Sequence, residues 1–453
     1  MTSPKGGAKG AVEGSRRRGW PALLVATAVA AGLAFYDLGA KSLWRDEATS
    51  VTLARLDWPS LWRAIAPEEA NGGLYYILLH CWMAIGTGES AVRALSAVLA
   101  VASVPVVYAL GGRFFGRDHA AVAALLLAVN AFFIRYAQEA RGYTLALLLV
   151  AAASYLFVRA MDLPTTGNWA VYALVGALSV YAHFFAGLVL AVHFVFALRS
   201  AGARSVPRGT AVGTFALIGV LGSPLLIPVL TVSHLKWIER PSLPDLAGAF
   251  QSLTGAGGPS LLIAYFLVCC AALVAGFPRR KANAGKSVHW QYAFLLAWLF
   301  LPVLGSFLFS ILVKPIFTPR YLIVSLPPLV LMAAAGVLSL RQRWLRAGTL
   351  VVLVALSARG LVAWYTGYPK ENFRAATAYI VKQAEAGDVI VFHSMGTRAP
   401  FDYYLRALHA EAKAPQPVRP SAPWGALDLL GPDSTSALEG WLRRWGEDRK
   451  SVV

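Results

Sequence analysis

Long runs of apolar residues separated by short polar connections make up most of the chain before residue 367. A helix needs roughly 20 mostly apolar residues to cross about 30 Å of hydrocarbon. Eleven runs approach that length, and we predict a membrane-spanning helix from each: 20–38, 91–112, 119–136, 142–160, 169–182, 184–198, 209–230, 258–277, 291–313, 321–340 and 347–366. The pattern therefore predicts an all-α polytopic membrane protein.

One further apolar run, Gly73–Gly86, is too short to belong to that set. As a helix it would be about 20 Å long, and runs of this length are more often interfacial or re-entrant. Counting it as a span would also invert every later connection. We therefore predict one long first outer loop, 39–90, which carries interfacial helices.

The charges support this layout. Of the 453 residues, 57% are hydrophobic and only 14% charged, so the net charge of +18 does not indicate a nucleic-acid-binding protein. The Lys and Arg residues concentrate in alternate short connections, for example around Arg113, Arg208, Arg280 and Arg343. By the positive-inside rule these connections are cytoplasmic. The prediction is a multi-pass protein of the inner (plasma) membrane with a cytoplasmic N-terminus and a periplasmic or extracellular C-terminus.

Three regions follow from this organisation. Residues 1–19 form a cytoplasmic basic tail, and 20–366 form the transmembrane module with its outer loop. Residues 367–453 are polar and form a small outer domain, which we expect to be α/β because Asp388–Phe392 has the composition of a short strand.

Acidic residues occupy two of the predicted outer connections. Asp46 and Glu47 follow the first span, and Glu139 lies with Arg141 in the turn between the third and fourth spans. Ionisable residues near span ends on one side of a membrane protein are candidates for a functional site. Carboxylates in such a place can accept a proton from a hydroxyl group or hold a divalent cation.

Basic and aromatic residues occupy the same predicted side. They are His183 at a hairpin tip, Lys314, Arg320 and Tyr321 in one late connection, and Arg359 in the outer part of the last span. Lys and Arg side chains bind phosphate, and the planar fork of Arg suits it well. Acids, phosphate-binding cations and an apolar surround together fit the transfer of a group from a lipid phosphate to a hydroxyl.

The motifs that contain these residues resemble those of the GT-C membrane glycosyltransferases. They are Asp46-Glu47, the stretch Gln138–Tyr143 (QEARGY) and Pro319-Arg320-Tyr321, in this order along the chain. More narrowly, the chain is similar to the family 39 group of dolichyl-phosphate-mannose–protein mannosyltransferases and their bacterial relatives, which include the aminoarabinose transferase of lipid A.

This resemblance implies an inverting transfer of a mannose- or arabinose-type sugar from a polyprenyl-phosphate donor on the non-cytoplasmic face. Asp46 would be the catalytic base, with Glu47 beside it, and Glu139 would match the second acid of such enzymes. Arg320 would contact the phosphate, and Arg141, Lys314, Tyr321, Arg359 and His183 complete the candidate substrate- and phosphate-binding set. No cofactor is certain, but Mg²⁺ or Mn²⁺ could be held by Asp46, Glu139 and His183.

Other functions remain open from the sequence. The main alternative is a flippase or transporter for the lipid-linked sugar, although transporters usually show internal repeats and sites near mid-membrane. A polymer ligase and a non-catalytic scaffold are weaker alternatives. The acceptor is a protein, a lipid or a glycan, and the sequence does not choose among them.

Overall fold

The computed structural model describes residues 20–65, 69–200, 207–225, 238–276, 289–367, 370–385, 388–390, 392 and 395–417. The predicted basic tail 1–19, the connection that contains Arg280 and the end of the chain from 418 lie outside these residues. The described helices are α1 (Trp20–Phe35), α2 (Arg45–Ala54), α3 (Trp58–Ile65), α4 (Gly73–Trp82), α5 (Glu89–Phe115), α6 (Arg117–Ala128), α7 (Ala131–Ala137), α8 (Tyr143–Asp162), α9 (Thr166–Ala182), α10 (Ala186–Ser200), α11 (Arg208–Gly222), α12 (Leu243–Leu253), α13 (Pro259–Gly276), α14 (His289–Leu312), α15 (Leu326–Ser339), α16 (Arg343–Val362), α17 (Phe373–Gln383) and α18 (Met395–Ala407).

The all-α membrane architecture predicted from the sequence is confirmed, and each predicted apolar run contains a helix. Within the described chain, six helices are long and apolar enough to cross a membrane, or seven if a bent pair counts as one span. Helices α1 and α10 are apolar but shorter. The count of eleven spans therefore stays a prediction, as does the interfacial position of the ten-residue helix α4.

The predicted continuous span 119–136 is wrong in detail, because this run is broken. Helices α6 and α7 meet at an angle of 61°. Asn130 has an extended backbone between them, and its side-chain oxygen accepts a hydrogen bond from Phe133 N–H at 3.0 Å. Its amide nitrogen donates to the carbonyl of Leu253 at 2.9 Å. Asn is a strong N-cap residue, so one polar residue in an apolar run ends one helix and starts the next.

The centre of the larger helical body is α15, which is buried along most of its length. It packs against α6, α13 and α14. Gly336 allows the closest of these approaches, because a Cβ there would overlap the backbone of Val268 on α13. Small residues at such contacts let membrane helices pack backbone to backbone.

The chain divides into two compact units, which cut across the three regions predicted from the sequence. The first, unit A, contains residues up to Tyr36, Glu69–Tyr75 and Arg93–Tyr368, and it holds nearly all the long helices. The second, unit B, contains Asp37–Glu68, Tyr76–Val92 and the segment after Pro369. Most of the predicted outer loop thus packs with the C-terminal segment as one body.

In unit B, helix α18 packs against α2 and α17. A small apolar cluster of Ile390, Phe401, Leu405 and Ala410 holds the C-terminal segment together. Val389–Ile390 pairs in parallel with Gln416–Pro417, with Val389 opposite Gln416. The strand predicted within 388–392 exists only as this two-residue pairing, and the C-terminal α/β domain stays a prediction.

Replacing Asn130 by Ala should lower the stability of unit A. The change removes the N-cap of α7 and leaves the carbonyl of Leu253 without its donor, at a combined cost of about 2–3 kcal/mol. Thermal unfolding in detergent would show this as a clear drop in melting temperature. Asn130→Ser is the matched control, since Ser retains a capping oxygen and should lose less. Equal stability of Asn130→Ala and the wild type would contradict the capping role.

Candidate functional site

The acidic pair predicted from the sequence lies in the first turn of α2, in unit B. Arg45, Asp46 and Glu47 are the first three residues of this helix. A carboxylate in the first turn is stabilised by the partial positive charge of the helix N-terminus. Asp46 is partly exposed, whereas Glu47 is fully buried. The two neighbouring carboxylates therefore have different environments.

One carboxylate oxygen of Glu47 is contacted by both a backbone N–H and a lysine ammonium. Its Oε2 accepts a hydrogen bond from Trp44 N–H at 3.4 Å and lies 3.1 Å from Nζ of Lys370. The side chain of Lys370 is only 6% exposed and that of Glu47 0%. The ammonium of Lys370 is also 6.0 Å from the centre of the Trp44 ring, within the range of a cation–π contact. Glu47 thus anchors the start of α2.

A second polar centre in unit B forms around Glu89, the first residue of α5. Arg374 forms an ion pair with its carboxylate, and the hydroxyl of Tyr404 donates to it. The same Tyr404 oxygen accepts hydrogen bonds from Leu43 N–H at 2.7 Å and from the Ser42 hydroxyl at 3.1 Å. Burial and the bond to Glu89 raise the pKa of Tyr404 to about 12, so it stays a neutral donor. These contacts fix the backbone just before α2.

The candidate set predicted from the sequence does not include four residues of these two polar centres: Lys370, Arg374, Glu89 and Tyr404. The sequence offers one signal for Lys370: it follows the last span on the side where the topology places Asp46. No local sequence pattern predicts that an acidic residue of the first loop forms an ion pair with a lysine more than 300 residues later. This pairing emerges only when the outer loop and the C-terminal segment fold as one unit.

In unit A, the turn after α7 is fastened by Gln138. Its amide nitrogen donates to the carbonyl of Tyr36 at 2.7 Å and to those of Leu33 and Ala34 at 3.3 Å. Its amide oxygen accepts from the indole N–H of Trp364 at 2.7 Å. The side chain therefore joins the end of α1, the turn after α7 and the segment that follows α16. This role is structural.

Glu139 follows Gln138 and is also fully buried. Its Oε1 lies 3.5 Å from Nε of Arg135, one helical turn earlier. The guanidinium of Arg135 in turn lies 5.4 Å from the centre of the Tyr136 ring and 5.7 Å from that of Trp364. The structure therefore pairs Glu139 with Arg135.

Arg141, Arg320, Tyr321 and His183 do come together, as one cation–aromatic cluster in unit A. The ring of His183 lies 4.8 Å from that of Tyr321 and 6.3 Å from that of Tyr143. The guanidinium of Arg141 is 5.9 Å from the Tyr143 ring, and that of Arg320 is 5.6 Å from the Tyr321 ring. Two guanidinium groups that lie beside aromatic rings are well placed to bind a phosphate group.

His183 is neutral in this cluster. It is 4% exposed, and burial together with the charges of Arg141 and Arg320 lowers its pKa to about 3. Phe185 N–H donates to its Nδ1 at 3.2 Å. An imidazole that accepts at Nδ1 carries its proton on Nε2.

The other two predicted cations, Lys314 and Arg359, differ in exposure. Lys314 is partly exposed and lies just after α14, six residues before Arg320. Arg359 is exposed on α16. His80, which is outside the predicted set, is held by packing, since its Nδ1 lies 2.9 Å from the Ala54 carbonyl and its ring 4.3 Å from that of Trp58.

The divalent cation suggested for Asp46, Glu139 and His183 stays a prediction. No group of three or more His, Cys, Asp or Glu side chains in the part of the chain that is described is close enough to hold an ion. Glu139 is paired with Arg135, and His183 stands beside two positive charges. We therefore derive no step of a reaction through a metal.

The fold is that of the GT-C membrane glycosyltransferases, and the chain is a multi-pass membrane protein. The crystal structure of ArnT from Cupriavidus metallidurans bound to undecaprenyl phosphate matches with a TM-score of 0.60 at 12% identity, covering 94% of this chain and 91% of that one. ArnT in the apo state gives a TM-score of 0.59 at 14% identity, over 96% and 92%. The predicted GT-C resemblance is thus confirmed for the fold.

Two further comparisons agree with this. Residues 73–230 match the family described as dolichyl-phosphate-mannose-protein mannosyltransferase. The oligosaccharyltransferase of Archaeoglobus fulgidus in complex with Zn and sulfate matches with a TM-score of 0.52 at 13% identity, over 87% of this chain and 62% of that one. No curated protein matches the chain by sequence.

Removing Lys370 should destabilise unit B strongly. Lys370→Met removes the cation that lies 3.1 Å from the buried Glu47 carboxylate, and breaking one side of a buried pair typically costs about 3–5 kcal/mol. The double variant Glu47→Gln with Lys370→Met should recover much of that loss, because it removes both charges. Unfolding of the wild type, both single variants and the double variant forms a complete cycle. Additive effects would contradict a direct coupling between the two side chains.

Proposed function

We propose that the protein is an inverting glycosyltransferase. It transfers a mannose- or arabinose-type sugar from a polyprenyl-phosphate donor to an acceptor hydroxyl on the non-cytoplasmic face of the membrane. The observation that carries this proposal is the cluster of Arg141, Arg320, Tyr321 and His183, set in a fold shared with a transferase solved with undecaprenyl phosphate bound. The acceptor class is left open.

The cluster supports a phosphate site by its chemistry. Its two guanidinium groups supply positive charge and several N–H donors, while the aromatic rings hold their orientation. A lipid phosphate is a monoester after the sugar has left, so its charge increases as the bond to the sugar breaks. Cations fixed near the leaving oxygen stabilise that transition state more than the ground state, which accelerates the reaction.

Asp46 is the proposed base. The acceptor oxygen attacks the anomeric carbon while the Asp46 carboxylate takes the hydroxyl proton. The bond between that carbon and the phosphate oxygen breaks with inversion, and the phosphate keeps the bonding electron pair. The choice between Asp46 and Glu47 follows from burial: Glu47 is fully buried and paired with Lys370, whereas Asp46 is partly exposed. Glu47 then positions the helix that carries the base.

The other residues predicted from the sequence enter as parts of this proposal. Glu139 orients the turn that leads to Arg141 through its pair with Arg135. Lys314 and Arg359 are proposed as outer contacts for the lipid phosphate or for membrane lipid. The divalent cation stays a prediction, and adding a chelator to the transfer assay tests it.

The decisive test of function is sugar transfer by purified protein in lipid vesicles with a panel of polyprenyl-phosphate sugars. The wild type should release polyprenyl phosphate from one of them. Asp46→Asn should reduce turnover by at least a hundredfold with donor affinity nearly unchanged, because the base acts on the acceptor. Near-normal turnover by Asp46→Asn would remove Asp46 from the base role. Donor that crosses the bilayer without losing its sugar would instead favour a flippase.

Arg320 gives an independent test of the phosphate site. Arg320→Met should lower kcat by roughly 10²–10³, since it removes a fixed charge from the leaving group. Arg320→Lys is the matched control: it retains the charge without the planar fork and should fall between Arg320→Met and the wild type. Steady-state kinetics with the donor identified above measures both. Unchanged kcat in Arg320→Met would place the leaving phosphate elsewhere.

A further inference from the structure

The turn between α9 and α10 fixes one imidazole in a single tautomer. His183 ends α9 with an extended backbone, and its own N–H donates to the Ser179 carbonyl at 3.0 Å. Phe185 N–H, two residues on, donates to Nδ1 at 3.2 Å. A backbone amide can only donate, so Nδ1 carries no proton and Nε2 carries the N–H of the neutral ring.

That Nε2–H is buried and has no hydrogen-bond partner among the described residues. A buried donor left unsatisfied costs about 1–3 kcal/mol, and native structures rarely tolerate it without a reason. The surroundings are those of the cation–aromatic cluster, with Tyr321, Tyr143 and Phe185 packed near the ring. The positive charges of Arg141 and Arg320 also act on the imidazole and lower its pKa.

These surroundings determine what the free N–H can bind. A metal ion would need a lone pair at Nε2, but the tautomer places a proton there. A cationic ligand would be repelled by the two guanidinium groups. An anion with several acceptor oxygens satisfies both the guanidinium groups and the imidazole N–H, and phosphate is such an anion.

We propose that His183 binds the phosphate of the polyprenyl donor through a hydrogen bond from Nε2–H to one of its oxygens. This rests on the proposed function for the identity of the ligand. The imidazole is a neutral donor, so it adds directional recognition of the phosphate without a further positive charge. It acts neither as a metal ligand nor as an acid or base.

The test compares two substitutions of the same residue. His183→Phe keeps an aromatic ring and removes the N–H, whereas His183→Gln keeps an amide N–H near the position of Nε2. The ligands are a polyprenyl phosphate without sugar and the matching polyprenol without phosphate, titrated against the full chain in nanodiscs. Thermal unfolding without ligand checks that both variants fold, and His183→Met serves in place of a Phe variant that does not.

His183→Phe should bind the polyprenyl phosphate at least tenfold more weakly than the wild type, since a hydrogen bond to a charged group is lost. His183→Gln should stay within about threefold of the wild type, by the same scale. Binding of the polyprenol should be unchanged in all three proteins.

Unchanged affinity of His183→Phe for the polyprenyl phosphate would overturn the proposal. An equal loss for polyprenol would also overturn it, because the effect would then come from packing of the lipid. The proposed enzymatic function is judged separately by sugar transfer. A protein that binds the phosphate through His183 but transfers no sugar would support this inference and contradict the proposed enzymatic function.

Discussion

Buried polar groups in this chain have to find their partners within the chain, because hydrocarbon offers none. Asn130 and Gln138 show how strongly this constraint acts in unit A. Asn130 caps α7 and also satisfies the Leu253 carbonyl where the chain bends. Gln138 uses both ends of its amide to hold the end of α1 and Trp364. The turn that presents Glu139 and Arg141 is therefore fixed from both sides before any substrate binds.

Burial within unit B has a comparable effect on the two acids of the Asp46-Glu47 pair. A carboxylate removed from water is tolerated when a cation and a hydrogen-bond donor compensate it. Lys370 and Trp44 N–H do this for Glu47, so that charge is used to hold α2. Asp46 is partly exposed, and it is the residue to which the proposed function gives the role of base. Two adjacent residues of one chemical type thus have different environments because one of them is buried.

The sequence predicted the fold well because its signal is local. Apolar runs and basic connections locate helices, and all eleven runs contain one. It also placed Arg141, Arg320, Tyr321 and His183 in one candidate binding set, together with Lys314 and Arg359, and that assignment stays a prediction. It did not predict the break at Asn130, since one polar residue in an apolar run has many explanations. It missed the Lys370 pair as well, because no local pattern records which distant segment covers a buried acid.

The cation–aromatic cluster illustrates why positioning matters more than charge alone. A phosphate could be bound by flexible lysines at the membrane surface, but such binding would stabilise the intact donor and the departing phosphate equally. Uniform binding of that kind lowers KM and leaves kcat unchanged. In unit A the guanidinium groups lie against aromatic rings, and the His183 ring is locked by the Phe185 amide. Donors held in this way do not have to reorganise when the leaving oxygen gains its charge. Under the proposed function, we therefore attribute to the rigidity of this cluster a part of the rate enhancement that the two arginines alone would not supply.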